Sequence, residues 1–71
     1  LVAGEDGLAD IRLIITQAPE HLQVGGWLLL EHGYEQAGAV RDLLRERGFS
    51  RVESRRDLVG HERISLGCWQ A

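Results

Sequence analysis

Apolar side chains at Leu8, Ile11, Ile15, Ala18 and Leu22 recur at spacings of three and four residues. That stripe predicts an amphipathic helix from Leu8, with Asp6 placed to cap its N-terminus. Pro19 has no amide hydrogen and crowds the turn before it, so the helix is expected to kink or restart there, with Pro19 at the first position of a short last turn. Gly25-Gly26 then ends it. The following run, Trp27-Leu28-Leu29-Leu30-Glu31-His32-Gly33, is apolar without alternation until it stops at two polar residues and a glycine. It reads as a strand from Trp27 to about Glu31 that is buried on both faces, as in parallel sheets covered by helices.

A second helix is expected from Tyr34 and Glu35, with Ala37, Val40, Leu43 and Leu44 on one face and Arg41, Asp42, Arg45 and Glu46 on the other. Glu35 suits the positive N-terminus, and Arg45 and Arg47 suit the negative C-terminus. Gly48 supplies a left-handed residue past the end, with Phe49 folding back on the last turn. Beyond it, Arg51-Val52-Glu53 and Ile64-Ser65-Leu66-Gly67-Cys68 read as two antiparallel strands, and the alternation of the second sends Ile64, Leu66 and Cys68 to one face. The connection from Asp57 to His61, with Gly60 in the turn region, is longer than a two-residue hairpin loop and leaves the register open. Helix, strand, helix and an antiparallel strand pair make an α/β fold.

The 71 residues make one small domain at most, and a chain of this size buries only about 60% of the surface its unfolded form exposes. It starts at Leu1, contains no methionine and shows no signal peptide, so it reads as a piece of a longer protein. No apolar run approaches the roughly 18 residues needed to span a bilayer. Every basic side chain is arginine, the formal net charge is −3, and the two signs are interleaved, which speaks against nucleic-acid binding. Arg51, Arg55 and Arg56, interrupted by Glu53 and followed by Asp57, read as a solvated strand face. The single Cys68 can form no internal disulfide, and its apolar flanks suggest a packed thiol in a reducing compartment, the cytoplasm.

The three histidines, His21, His32 and His61, lack metal-ligand spacing, so no metal site is expected. His32 lies at the carboxyl end of a strand, where open sheets bind ligands, although a histidine there also serves simply to hold a neighbouring loop. Glu31 at the same end would be costly to bury unpaired. A helix N-terminus or loop amide would hold it on the structural reading, and a substrate on the functional one. Gly4-Glu5-Asp6-Gly7 is neither a dinucleotide-binding fingerprint nor a phosphate loop, and no hydrolase nucleophile signature is present.

Taken together, Gly4-x-Asp6-Gly7-Leu8, Ala18-Pro19 with Leu22, the run Gly25 to Gly33, Gln36, Val40, Leu43-Leu44, Gly48-Phe49, Asp57-Leu58-x-Gly60 and Arg63 resemble the C-terminal end of the PrmC/HemK family, over essentially the whole chain. That family comprises S-adenosylmethionine-dependent methyltransferases that modify the glutamine of the Gly-Gly-Gln motif in peptide-chain release factors. The resemblance implies the C-terminal part of a class I, Rossmann-like methyltransferase fold over residues 1–71, with the last strand inserted between the other two and Trp27–Glu31 left with an open edge. The family's glycine-rich cofactor loop, its ribose-binding acid and its Asn-Pro-Pro-Tyr motif have no counterpart in this chain, which contains no asparagine. No catalytic or cofactor-binding residue is therefore carried over. Asp6, Gly7, Glu31, His32 and Gly33 are expected to support the substrate pocket. The piece alone is expected to be inactive. The other reading is a self-standing small α/β interaction domain that associates through the Trp27–Glu31 edge.

Overall fold

The computed structural model describes residues 7–70. A helix α1 (Ala9–Gln17) runs into a short 3-10 turn (Ala18–His21) and is followed by strand β1 (Trp27–Glu31). A second 3-10 turn (Tyr34–Gln36) leads into helix α2 (Ala37–Arg47), and strands β2 (Ser50–Arg56) and β3 (Glu62–Cys68) complete the chain. The expected stripe on α1 is the one that packs: Leu8 and Ile15 are buried, with Ile11, Ala18 and Leu22 against the same core. Pro19 stands second in the 3-10 turn, after Ala18 and not at the first position expected, where its missing amide hydrogen still costs nothing. The N-cap position belongs to Leu8, whose carbonyl accepts the Arg12 amide at 2.8 Å, and not to Asp6, which lies outside the described residues.

Helix α2 presents Ala37, Val40 and Leu44 to the core and ends at Gly48, whose φ of 110° is the left-handed conformation that a side chain would strain. The Phe49 amide then bonds the Leu44 carbonyl at 3.0 Å, and its ring is buried beside Trp69, 5.2 Å between centroids. Phe49 lies directly over Gly67 of β3, where a Cβ would come within 3.0 Å of the Phe49 Cβ, so only glycine lets the chain cross the central strand this closely.

The sheet has the order β1-β3-β2 with both pairings antiparallel, so β3 is central as expected. The pairing places Leu30 opposite Ser65 and Leu28 opposite Gly67, and β2 brings Ser54 opposite Ser65. Strand β2 is longer than its sequence suggested and is irregular between Ser50 and Glu53, where Arg51 takes a positive φ of 54°. Arg51, Arg55 and Arg56 are exposed, as their charge pattern implied.

The expectation that β1 is buried on both faces is corrected. Leu28 and Leu30 face the core shared with the helices, whereas Leu29 is 60% and Trp27 43% exposed. An unbroken apolar run signals two covered faces, but among the described residues helices pack on only one. The other face carries Trp27, Leu29, Ile64, Leu66 and Cys68, of which Leu66 and Cys68 are buried.

The two outer edges differ. The β2 edge is blunted by arginines and a bulge, whereas β1 is apolar and has no strand on its outer side among the described residues. The isolated chain is therefore expected to self-associate through β1. Light scattering across a concentration series checks this, and a monomer persisting at high concentration would show the edge to be covered.

Candidate functional site

The carboxyl end of β1 is where the sequence placed its site residues. Glu31 stands in register with Ile64, and the His32 amide extends the ladder by one bond to the Arg63 carbonyl, at 3.0 Å. The chain then turns at Gly33. Gln36 clamps that turn from both directions: its amide donates to the Gly33 carbonyl at 2.9 Å, and its side-chain Oε1 accepts from the Gly33 amide at 2.9 Å. Gly7, with a left-handed φ of 72°, also lies against Gln36, since a Cβ on it would be 3.3 Å from Nε2. Gly7, His32 and Gly33 are thus brought together, with Gln36 as the link.

The His32 ring is held on both nitrogens, Nδ1 at 2.8 Å from the Gly33 carbonyl oxygen and Nε2 at 2.7 Å from Ser65 Oγ. Ser65, which is completely buried, lies 2.6 Å from Ser54 Oγ, and Arg41 Nη1 donates to Ser54 at 2.6 Å. Arg41 also pairs with Glu62 at 3.2 Å. Glu31, in contrast, is exposed, so the premise that a buried carboxylate needs a partner does not apply to it. Its side chain lies on the face of β1 that no described helix covers, together with Trp27 and Leu29.

Opposite this turn stands the β2–β3 connection, at the same end of the sheet. Asp57 Oδ1 accepts from the amides of Val59 and His61 at 3.0 and 2.9 Å, the Asp57 amide donates to the His61 carbonyl at 2.8 Å, and Gly60 takes a φ of 92°. This is a local carboxylate cap of the kind aspartate makes in turns. Arg63 Nε approaches Asp57 Oδ2 at 3.4 Å, and its guanidinium lies 5.3 Å from the centre of the Tyr34 ring, within cation–π range. Tyr34 stacks on His61 with centroids 4.3 Å apart. Glu31, His32, Asp57, Arg63 and Ile64 together line an open depression of about 430 Å³.

Sequence reasoning gave no role to Tyr34, His61, Asp57 or Arg63. The signal for Asp57 was present in Asp57-Leu58-x-Gly60, an acid followed at turn spacing by a glycine. The stacking of Tyr34 on His61 joins segments far apart in sequence, and no local pattern reports it.

The hydrogen bond from the His61 amide, then that from Val59, the His61 charge and the hydrogen bond from Arg63 hold the Asp57 carboxyl below its ordinary value, against an opposing effect of desolvation. A carboxyl whose folded-state value is depressed contributes stability that is complete above its unfolded value and is lost as pH falls through the folded one. The loop is therefore expected to loosen as the pH falls from the ordinary carboxylate value through the lowered one. Amide shifts of Val59 and His61 across an acid titration read this out; they should move together in the native sequence and stay flat in Asp57→Asn.

Among the described residues no cluster of three or more His, Cys, Asp or Glu could hold a metal ion, and no helix is long and apolar enough to cross a membrane. Cys68 is a buried free thiol.

No family model matches the chain. It is 65% identical over 69 residues, 97% of its length, to the release factor glutamine methyltransferase of Pseudomonas aeruginosa. To the enzymes of the same name from Vibrio cholerae and Yersinia pestis it is 55% and 49% identical, over 94% and 97% of its length. The chain belongs to the release factor glutamine methyltransferase family. It spans about a quarter of the length of these relatives, 25%, 23% and 25% respectively. Within that family segment, the turn at Glu31 to Gly33 and the Asp57 to His61 loop form one continuous lip.

Proposed function

We propose that residues 1–71 are the C-terminal part of the catalytic domain of a cytoplasmic, S-adenosylmethionine-dependent class I methyltransferase, which modifies the glutamine of the Gly-Gly-Gln motif in peptide-chain release factors. The observation that carries this reading is the near chain-long identity to relatives bearing the name release factor glutamine methyltransferase. The open apolar face of the sheet supports it, because a Rossmann-like sheet is covered by helices on both sides and this segment covers one. The depression at the carboxyl end of β1 supports it too, that end being where such sheets bind ligands.

The described residues do not fit the cofactor. The strand-to-helix junction among them, at Gly33, has that residue's amide taken by Gln36 and holds a single glycine, not a glycine-rich loop. Cofactor binding is accordingly assigned to the part of the protein beyond this segment. An amide nitrogen is a poor nucleophile that must be held and desolvated in front of the reacting methyl group, a task of geometry more than of base strength. His32 and Gly33, whose polar groups are tied to the fold, and Gly7, which lies against Gln36, suit a supporting role, and the same role is proposed for Asp6, outside the described residues. Glu31, exposed and lining the depression, is proposed to support the pocket and not to react.

The full-length protein, given methyl-labelled S-adenosylmethionine and a release factor, is expected to transfer label to the release factor. Failure to label it, with the protein folded and the cofactor bound, would refute the assignment.

A further inference from the structure

The polar row on the helix side of the sheet has a direction that its two ends dictate. A carbonyl oxygen can only accept, so His32 Nδ1, 2.8 Å from the Gly33 carbonyl oxygen, carries a hydrogen. At the far end Arg41 can only donate, and it donates to Ser54 Oγ at 2.6 Å. Ser54 then spends its own hydrogen on Ser65, 2.6 Å away, and Ser65 spends its hydrogen on His32 Nε2 at 2.7 Å. Every polar atom in the row is satisfied when Nε2 is a bare acceptor, and no buried side-chain polar atom among the described residues lacks a partner. Were Nε2 to carry a hydrogen, Ser65 would have to turn its own toward Ser54. Ser54 would then accept two bonds, and its own hydroxyl hydrogen would have to find an acceptor outside the row.

We propose that Arg41, acting through the Ser54 and Ser65 hydroxyls, holds His32 as the neutral Nδ1–H imidazole and thereby positions the Glu31–Gly33 turn at the lip of the depression. The row runs across all three strands, from β2 through β3 to the residue following β1, because Ser54 and Ser65 are direct cross-strand partners. Glu62 fixes the Arg41 guanidinium from the start of β3 at 3.2 Å. The ring so oriented adds its Nδ1–H to the Gln36 amide already on the Gly33 carbonyl, giving that carbonyl two donors. The charged groups beside the ring, Glu31, Asp57 and Arg63, line the depression and are not part of the row. Arg41, Ser54 and Ser65 are positioning residues, since none of them is a lining residue of the depression.

The tautomer follows from the geometry alone; its effect on substrate affinity rests on the methyltransferase reading. Nitrogen-15 spectra of the histidine rings in the full-length protein at neutral pH test the first part. Nδ1 is expected to be protonated and Nε2 bare, and a protonated Nε2 would overturn the proposal without any substitution being made. Ser54→Ala, which leaves the ring's own partners in place, and Arg41→Met are each expected to move the His32 Nε2 signal, while Ser54→Thr restores it. An Nε2 signal unmoved by Ser54→Ala and Arg41→Met would overturn the relay. In methyl transfer, Ser54→Ala is expected to raise KM for the release factor roughly 2- to 10-fold, the range of one hydrogen bond, with kcat little changed. A shifted ring with KM unaltered would overturn the positioning role. A native protein that shows the expected tautomer yet methylates no release factor would refute the functional reading and leave the tautomer standing.

Discussion

Leu44→Ala is expected to destabilise the fold by about 2–5 kcal/mol, the range for deleting a fully buried leucine side chain. Leu44 is completely buried in the cluster formed with Leu8, Ile15, Leu30, Val40 and Phe49, where α1, α2 and β1 meet. Its carbonyl also receives the Phe49 amide that closes the turn into β2. The cavity left by alanine would open at the centre of a core too small to collapse around it. Net stabilities of about 5–15 kcal/mol are usual for domains, and a segment of this size stands at the low end, so the loss would take most of the margin. Urea unfolding of the full-length protein followed by tryptophan fluorescence would show it, through Trp27 and Trp69. Leu44→Met, which conserves volume, is expected to cost less than about 1.5 kcal/mol. Equal effects of the two substitutions would show that the site is not close-packed.

The isolated 71-residue chain is expected to bind no S-adenosylmethionine at micromolar concentration and to transfer no methyl group. The reason is specific. A nucleotide-like cofactor in a Rossmann-type sheet uses free backbone amides at a glycine-rich strand-to-helix turn, together with an acid for the ribose. Here the strand-to-helix turn at Gly33 is closed by Gln36, and Glu31, the acid beside it, is exposed on the opposite face of β1. Calorimetric titration of the isolated chain is the check, and micromolar binding would relocate the cofactor site into this segment.

The local elements were legible in the sequence because their signals are local. The end of α2 was marked by Arg45, Arg47 and Gly48, and the structure places Gly48 in the left-handed conformation such an ending uses. The restart after α1 was nearly as plain, expected at Pro19 and found one residue earlier, at Ala18. Strand order is a long-range property that no periodicity in this chain encodes, and the central place of β3 came from the family resemblance, which the pairing of β3 with both neighbours bears out. Two inferences failed for one reason. Burial of β1 on both faces and a buried Glu31 each assumed a second covering layer, which residues 7–70 do not contain. Asp57 was read merely as part of a polar connection, although it organises that loop, since its partners are backbone amides and these leave no trace in composition. The Arg41–Ser54–Ser65–His32 row was also beyond sequence reasoning, because cross-strand register brings Ser54 to Ser65 and that register was open.

The most direct test of the account is tandem mass spectrometry of a release factor incubated with the full-length protein and S-adenosylmethionine. The account predicts a single added methyl group on the glutamine side chain of the Gly-Gly-Gln motif. An unmodified glutamine, or a methyl group carried only at another residue, would contradict it.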